Sequence, residues 1–521
     1  MDRSPRSILL ACLAAGLAFA SAVQADWTTD SGYAQLQAEL GGALPTGAGI
    51  TVFQSEAGFG GDPKNFMPQP SDTSPFAGLG NYTGKTFTID STPEHYSDHA
   101  DTVGTHYYGN SGSVAPGVTD VHVMTADDFY LGIVDSTGAH HFTGSVQNHS
   151  WVGGTSGTPS DDAYVLRAFD FMLNRDSVVA SVPLDNSTGP VPILLANSYH
   201  AISVGLRNGL HSLGGSTADG NGRMKPDLVV NESQTSYASP AVASTATMLL
   251  QTVNASFTGA NHPQVIKAIL LAAASKTNLP VWHRAASTAP YDSTFGAGEL
   301  NVFNAYHVLA KGNQTASNST ERADGGWDFG TAQISSAKRY FFSIPQGSLA
   351  NTFSAALTWH RTINFSTIPQ PSYSSSLPHL TLKLYASNNF TVGAVIDQSN
   401  STLDNVQHVF QYNLPAGQYA LEVSTTSGSA VSYGLAWQSI RGTGPGIAAN
   451  IHPDATVWLD LANLDPYVTY TIQQSSDLIN WSNATTVLTS STTASTTASW
   501  QDSSASPSTN KFYRLQWTAV R

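Results

Sequence analysis

A chain of 521 residues is too long for one hydrophobic core and reads as roughly two to four domains. Its hydrophobic share of 41% suffices for globular packing, while charged residues make up only 11% and the formal net charge is −14. That balance excludes nucleic acid and an anionic membrane surface as the main partner.

Residues 1–25 have the layout of a secretory signal peptide. Arg3 and Arg6 give a basic start, "ILLACLAAGLAFA" an apolar core, and "ASA" or "VQA" a cleavage site after Ala22 or Ala25. The core of 13 residues is short for a spanning helix, and no later stretch is long enough either. The expectation is a secreted or periplasmic protein with no membrane span. The only cysteine, Cys12, lies inside this leader; "LLAC" resembles a lipoprotein box, but the Cys comes too early and more apolar core follows. Without the leader there is no thiol, so neither a disulfide nor a cysteine nucleophile is available.

Residues 26–312 alternate apolar strands such as "VVASV" and "AISVG" with helical runs such as "HPQVIKAILLAAASK". This alternation predicts an α/β domain with a largely parallel sheet. In the quoted helical run Val265, Ile266, Ile269, Leu270 and Ala273 recur at helical spacing, and Pro263 suits the first turn. "SGYAQLQAELGG" reads as a leading helix. Only about 20 residues separate the cleavage site from the first strand at Ile50, too few for a large inhibitory prodomain.

"KGNQTASNSTERAD" (311–324) reads as a polar linker. Over 325–441, "AALTW", "LTLKLY", "VFQYNL", "QYALEV" and "YGLAW" follow one another as strands of a β-sandwich of the jelly-roll kind. "GTGPG" (442–446) is a second hinge, and 447–521 read as a smaller all-β sandwich. Trp359, Trp437, Trp458, Trp481 and Trp517 are candidates to stack on sugars for surface or glycan attachment, against the commoner role of aromatics as β-domain core.

Chemistry concentrates in three places. "TVFQSEAGFG" (51–60) ends an apolar strand on Glu56; "DHADTVGTH" carries His99; "TSYASP" sets Ser236 at the start of a helix. By itself a serine at a helix start is a cap. In the order acid, imidazole, hydroxyl the three residues suggest nucleophilic catalysis.

These blocks resemble the subtilisin-like serine peptidases, whose Ser-His-Asp triad recurs convergently on unrelated folds. The resemblance covers residues 35–310: "GITVFQSEAG", "HADTVGTHYYGNSGSVAPGV", "KPDLVV…TSYASPAVAS" and "FGAGELNVFNAY", in the family's order. It implies a peptidase acting on protein or peptide substrates, with Ser236 as nucleophile, His99 as general base and Glu56 as the acid that orients the ring. The family places Asp where this chain has Glu56, and the extra methylene carries the carboxylate roughly 1.5 Å further out. Asp62 is an alternative acid nearby. The sedolisins, which use Ser, Glu and Asp, need an acid where this chain has His99.

The resemblance further implies Asn186 as an oxyanion donor, although Asp185 precedes it in place of the usual Gly; Asn197 is the runner-up. It makes Ser150, Trp151, Val152 and Gly153 the strand on which substrate lies, and it leaves Gln234 where the family has Gly. No cofactor is required for such chemistry. Structural calcium is common in the family, but no dense acidic loop assigns a site, and His106, His140 and His141 are assigned no metal. A competing reading keeps the scaffold and drops the reaction: a catalytically silent peptide- or glycan-binding protein.

Overall fold

In the computed structural model, the described residues are 27–60, 62, 64–69, 81–91, 95–155, 157–280, 282–345, 350–441, 446–462, 464, 468–488, 497–504 and 511–519. The signal-peptide reading of 1–25 therefore lies outside the described residues.

Seven strands form one parallel sheet: β1 (Val52–Glu56), β2 (Thr86–Ile89), β3 (Asp120–Thr125), β4 (Val146–His149), β5 (Val179–Pro183), β6 (Ile202–Leu206) and β7 (Leu228–Val230). Their order across the sheet is β7-β6-β5-β4-β1-β3-β2. The inner strands are buried on both faces, as the apolar runs "VVASV" and "AISVG" require. After β1 the chain builds one side of the sheet and then returns to build the other beside it. The gap between β1 and β4 is thus a switch point, and in such sheets ligands bind outside the carboxyl ends of the strands there.

The helices that bear on the site and its support are α1 (Tyr33–Leu40), α2 (Asp98–Tyr107), α3 (Ala126–Ile133), α4 (Pro159–Arg175), α5 (Thr235–Ser256), α6 (Pro263–Ala273) and α7 (Val302–Ala310). The segment "SGYAQLQAELGG" forms α1, as its pattern predicts. Every residue of α6 is buried. A helix buried all round needs cover on every side, and Lys267 within it is met by the Ala201 carbonyl and Asp227; the remaining cover on α6 comes from a second body of the chain.

That body is two four-stranded antiparallel sheets. Its strands are β8 (Gly326–Ala332), β9 (Lys338–Ile344), β10 (Ala350–Trp359), β11 (Leu380–Asn388), β12 (Thr391–Ser399), β13 (Val406–Leu414), β14 (Gly417–Thr425) and β15 (Val431–Arg441). The sheets run β8-β15-β10-β13 and β9-β14-β11-β12. The first lies on α6: Thr358 Oγ1 donates to the Gln264 carbonyl (2.5 Å) and Gln438 Nε2 to the Ala272 carbonyl (3.0 Å). Gly434 is required by this contact, since a Cβ there would meet the Gln264 main chain at 2.5 Å. Trp327, Ala356, Val406 and Ala436 accordingly join the apolar core of the parallel-sheet region.

Residues 311–324, which read as a linker, are held against the sandwich. Gln314 N–H donates to the Trp327 carbonyl (2.7 Å) and Ser317 N–H to that of Arg339 (2.8 Å). Two three-stranded sheets complete the chain. One is Gly446–Ile451, Val457–Ala462 and Thr497–Asp502; the other is Val468–Ser475, Ser482–Leu488 and Phe512–Ala519. Trp359 and Trp437 are fully buried and offer no face to a sugar. Trp458 stacks on His452, and Arg514 lies over the Trp481 ring at 4.3 Å. The Trp517 side chain lies outside the described residues. Among the described residues no helix is long and apolar enough to cross a membrane.

Candidate active site

Glu56 closes β1 at the carboxyl edge of the sheet, with its side chain 1% exposed. A buried carboxylate needs partners on both oxygens, and it has them. Oε2 accepts from His99 Nδ1 at 2.9 Å, and Oε1 accepts from Gln54 Nε2 at 3.0 Å. Gln54 points to the same side as Glu56, two residues earlier on the strand. Its amide also donates to the Ala100 carbonyl (3.1 Å), and Tyr108 donates its hydroxyl to Gln54 Oε1 (2.5 Å). One side chain therefore fixes the longer carboxylate and the first turn of α2 together, which is how a Glu is accommodated. Burial pushes the Glu56 carboxyl up from its ordinary pKa, while the charge of His99 and the bonds from His99 and Gln54 pull it back part of the way.

His99 is the second residue of α2, whose start is capped by Ser97, the hydroxyl accepting from Ala100 N–H (3.3 Å). Its ring is 14% exposed, and Phe59 stacks on it at 5.5 Å and 17°. With Nδ1 bonded to a carboxylate, that nitrogen carries the proton and Nε2 is left as the acceptor. Asp62, the alternative acid, instead faces His95 Nδ1 at 3.4 Å.

Ser236 is the second residue of α5, half-buried, and Gln234 at the cap position contributes no side-chain cap. The cap comes from elsewhere: Asn186 Oδ1 accepts from Thr235 N–H (2.8 Å), while the Thr235 hydroxyl gives its one proton to the Leu184 carbonyl (2.5 Å). A main-chain N–H can only donate, so it fixes which end of the Asn186 amide faces the helix. The exposed Nδ2 group is turned the other way, and among the described residues no hydrogen bond reaches it or the Ser236 N–H. The first N–H groups of a helix lack internal partners, which makes the Ser236 N–H a second available donor.

Pro240 explains a further link. It has no N–H to give to the carbonyl four residues back, and that carbonyl belongs to Ser236. Ser150 Oγ donates to it instead, at 2.8 Å, and itself accepts from Asn148 Nδ2 (2.8 Å). The strand end at Ser150 is thereby tied to the turn carrying Ser236.

Among the described residues no hydrogen bond joins the Ser236 hydroxyl to His99. The contact between their helices is made one residue on, where the Tyr237 ring lies 5.8 Å from the imidazole.

The expected substrate strand divides. Trp151 is core: it is buried, packs edge-on to His149, and donates Nε1–H to Ser55 Oγ at 3.1 Å. Its ring lies on the His149 side of the chain, among core residues, and not on the side where Ser150 meets the Ser236 carbonyl. Gly153 spends its main chain on an antiparallel bridge to Leu194 (3.1 and 2.9 Å) and is not free to pair with a peptide. Val152 is half-buried, and among the described residues its main-chain groups take no hydrogen bond. Asn197 is a structural turn residue. Its oxygen accepts from Thr217 N–H (2.8 Å) and its amide donates to the Pro192 carbonyl (2.6 Å).

Gln54, Tyr108 and Phe59 escaped the sequence reading. A polar Gln inside a buried strand, two residues before the acid, is the signal that pointed to the first of them. Among the described residues no group of three or more His, Cys, Asp or Glu side chains could hold a metal ion.

No family model matches the chain, and no curated protein matches it. Among solved structures, it is similar to the prenylagaramide maturation protease PagA (16% identity, 49% of this chain and 93% of that one, TM-score 0.34). The patellamide maturation protease PatA is similar at 18% identity over 50% and 98% of the two chains, with a TM-score of 0.33. A lanthipeptide protease is similar at 13% identity over 54% and 93%, with a TM-score of 0.33.

Proposed function

We propose that this chain is an exported serine endopeptidase of the subtilisin-like kind, cleaving peptide bonds through Glu56, His99 and Ser236. The observation that carries this reading is the 2.9 Å bond from His99 Nδ1 to the buried Glu56 carboxylate. It leaves Nε2 as the free base on the helix that faces the Ser236 turn.

In the proposed reaction the Ser236 hydroxyl attacks the scissile carbonyl carbon and passes its proton to His99 Nε2. Glu56 stabilises the imidazolium that results. The developing oxyanion takes hydrogen bonds from Asn186 Nδ2 and the Ser236 N–H, which no hydrogen bond reaches among the described residues, at a helix start whose dipole favours negative charge. The tetrahedral adduct collapses as His99 returns the proton to the leaving amine, and an acyl-enzyme forms on Ser236. Water then repeats the sequence and frees the acid product. Ser150 and Val152 are the positions at which an extended peptide would pair.

Glu56, Gln234 and Asp185, which depart from the family's pattern, favour a second reading, a silent peptide- or glycan-binding protein on the same scaffold. Casein hydrolysis separates the two. The purified full chain is expected to cleave casein and Ser236→Ala to leave it intact; equal residual cleavage by both proteins sinks the peptidase reading.

A further inference from the structure

A second acid–imidazole pair lies beneath the first. His106, in the last turn of α2, directs Nε2 at Glu232 Oε1 (3.0 Å) and Nδ1 at the Thr102 carbonyl (2.8 Å). The two side chains are 7% and 4% exposed. A carbonyl can only accept, so Nδ1 carries a proton; with Glu232 ionised, Nε2 donates as well, and a ring with two N–H groups is an imidazolium. The negative end of α2 favours a cation at this position. Burial alone pulls His106 down, but the hydrogen bond and charge of Glu232 outweigh it and hold the group above its ordinary pKa.

Glu232 lies just ahead of α5, its other oxygen accepting from Ser233 N–H at 3.1 Å. Tyr237 stacks on His106 at 5.7 Å and 12°, within cation–π reach, and also touches His99 at 5.8 Å. The charged pair therefore holds the residue next to Ser236 against both histidines. Loss of the proton would set a bare ring nitrogen against a carbonyl or a carboxylate, and one of the two bonds would break.

From this geometry we infer that His106, Glu232 and Tyr237 are positioning residues that set the approach of the Ser236 hydroxyl to His99, and that their grip is released at alkaline pH. The inference rests on the peptidase reading above. The titratable groups around the clamp are Glu232 and Tyr237 on the α5 side, Asp98 and His99 on α2, and Glu56 from β1; the charges of Glu56, Glu232 and Asp98 all bear on the Tyr237 phenol.

The test follows the labelling rate of a fluorophosphonate on the full chain across neutral to alkaline pH. Glu232→Gln keeps the shape and the acceptor but removes the charge. Its alkaline loss of rate is expected about one pH unit or more below that of the wild type, with unchanged circular dichroism. His106→Gln is expected to abolish this pH limb and label about a hundredfold more slowly throughout. Nitrogen-15 NMR of labelled histidine should show, at neutral pH, one ring with both nitrogens protonated that is missing from His106→Gln. An unmoved limb in Glu232→Gln, or a neutral ring at His106, overturns the clamp while labelling itself leaves the peptidase reading standing. A wild-type chain that never labels removes the reaction, and the positioning role falls with it.

Discussion

At the scale of single residues, the question posed by the chain is how a buried Glu side chain is held against an imidazole. The answer lies in Gln54, which grips the second carboxylate oxygen and the first turn of α2 at once. Glu56→Gln retains the volume but offers His99 a neutral amide, which neither stabilises an imidazolium nor enforces the tautomer. Turnover is expected to fall by about four orders of magnitude, as an amide in the acid position does elsewhere, with KM little changed. Steady-state kinetics on a chromogenic peptide checks this; parallel losses in kcat and in affinity would mean that Glu56 acts on binding. Glu56, His99 and the placement of Ser236 were legible because each sits at an element boundary with a motif around it. The packing of Trp151 was not, since residues 146–151 are buried on both faces of the sheet and alternation carries no signal there.

At the scale of elements, the site is a joint between strand ends and a helix start. Pro240 deletes one helical hydrogen bond, Ser150 supplies the replacement, and Asn186 caps the helix from the bend after β5. Ser150→Ala leaves the Ser236 carbonyl without its partner, at a cost of about 1–3 kcal/mol. The expected outcome is a lower Tm together with slower casein cleavage; an unchanged Tm would show that the bond contributes nothing. The parallel sheet and the all-β regions after it follow from the sequence through hydrophobic period alone. The cover on α6 does not follow from the face first noticed, Val265, Ile266, Ile269, Leu270 and Ala273. Ala268, Leu271 and Ala272 on its other side carried that signal. The polar composition of 311–324 likewise says nothing about the main-chain pairing that fixes it.

At the scale of the whole molecule, buried histidines set the response to acid. Burial pulls His149 down to about 3 and His211 down to about 4, in the latter against the pull of main-chain bonds. Burial likewise takes His200 down to about 4 despite Asp170, and holds His360 and His408 well below their ordinary value. Unfolded histidines titrate near 6.5. Below that pH the unfolded chain binds protons that the folded chain refuses, so stability falls as pH falls, by about 1.4 kcal/mol per pH unit for each such ring until its folded pKa is reached. Glu56, raised by burial, has the opposite sign, its ionisation cost being relieved as pH falls, and Asp127, Glu299, Asp328 and Asp404 share that sign; Asp170 and Asp227, held below the ordinary value against their burial, act with the histidines. Calorimetry should show Tm dropping from neutral pH toward pH 4, with a shallower drop in His408→Gln. A Tm that stays level over this range contradicts the assignment of neutral buried rings.

The central claim is that Ser236 is a nucleophile activated by a ring that Glu56 holds. It is tested most directly by reacting the intact chain with a fluorophosphonate and mapping the adduct by peptide mass spectrometry. The expected result is a single phosphonyl group on the peptide carrying Ser236, absent from His99→Ala. A modification on any other serine, or no modification of the folded protein, would contradict it.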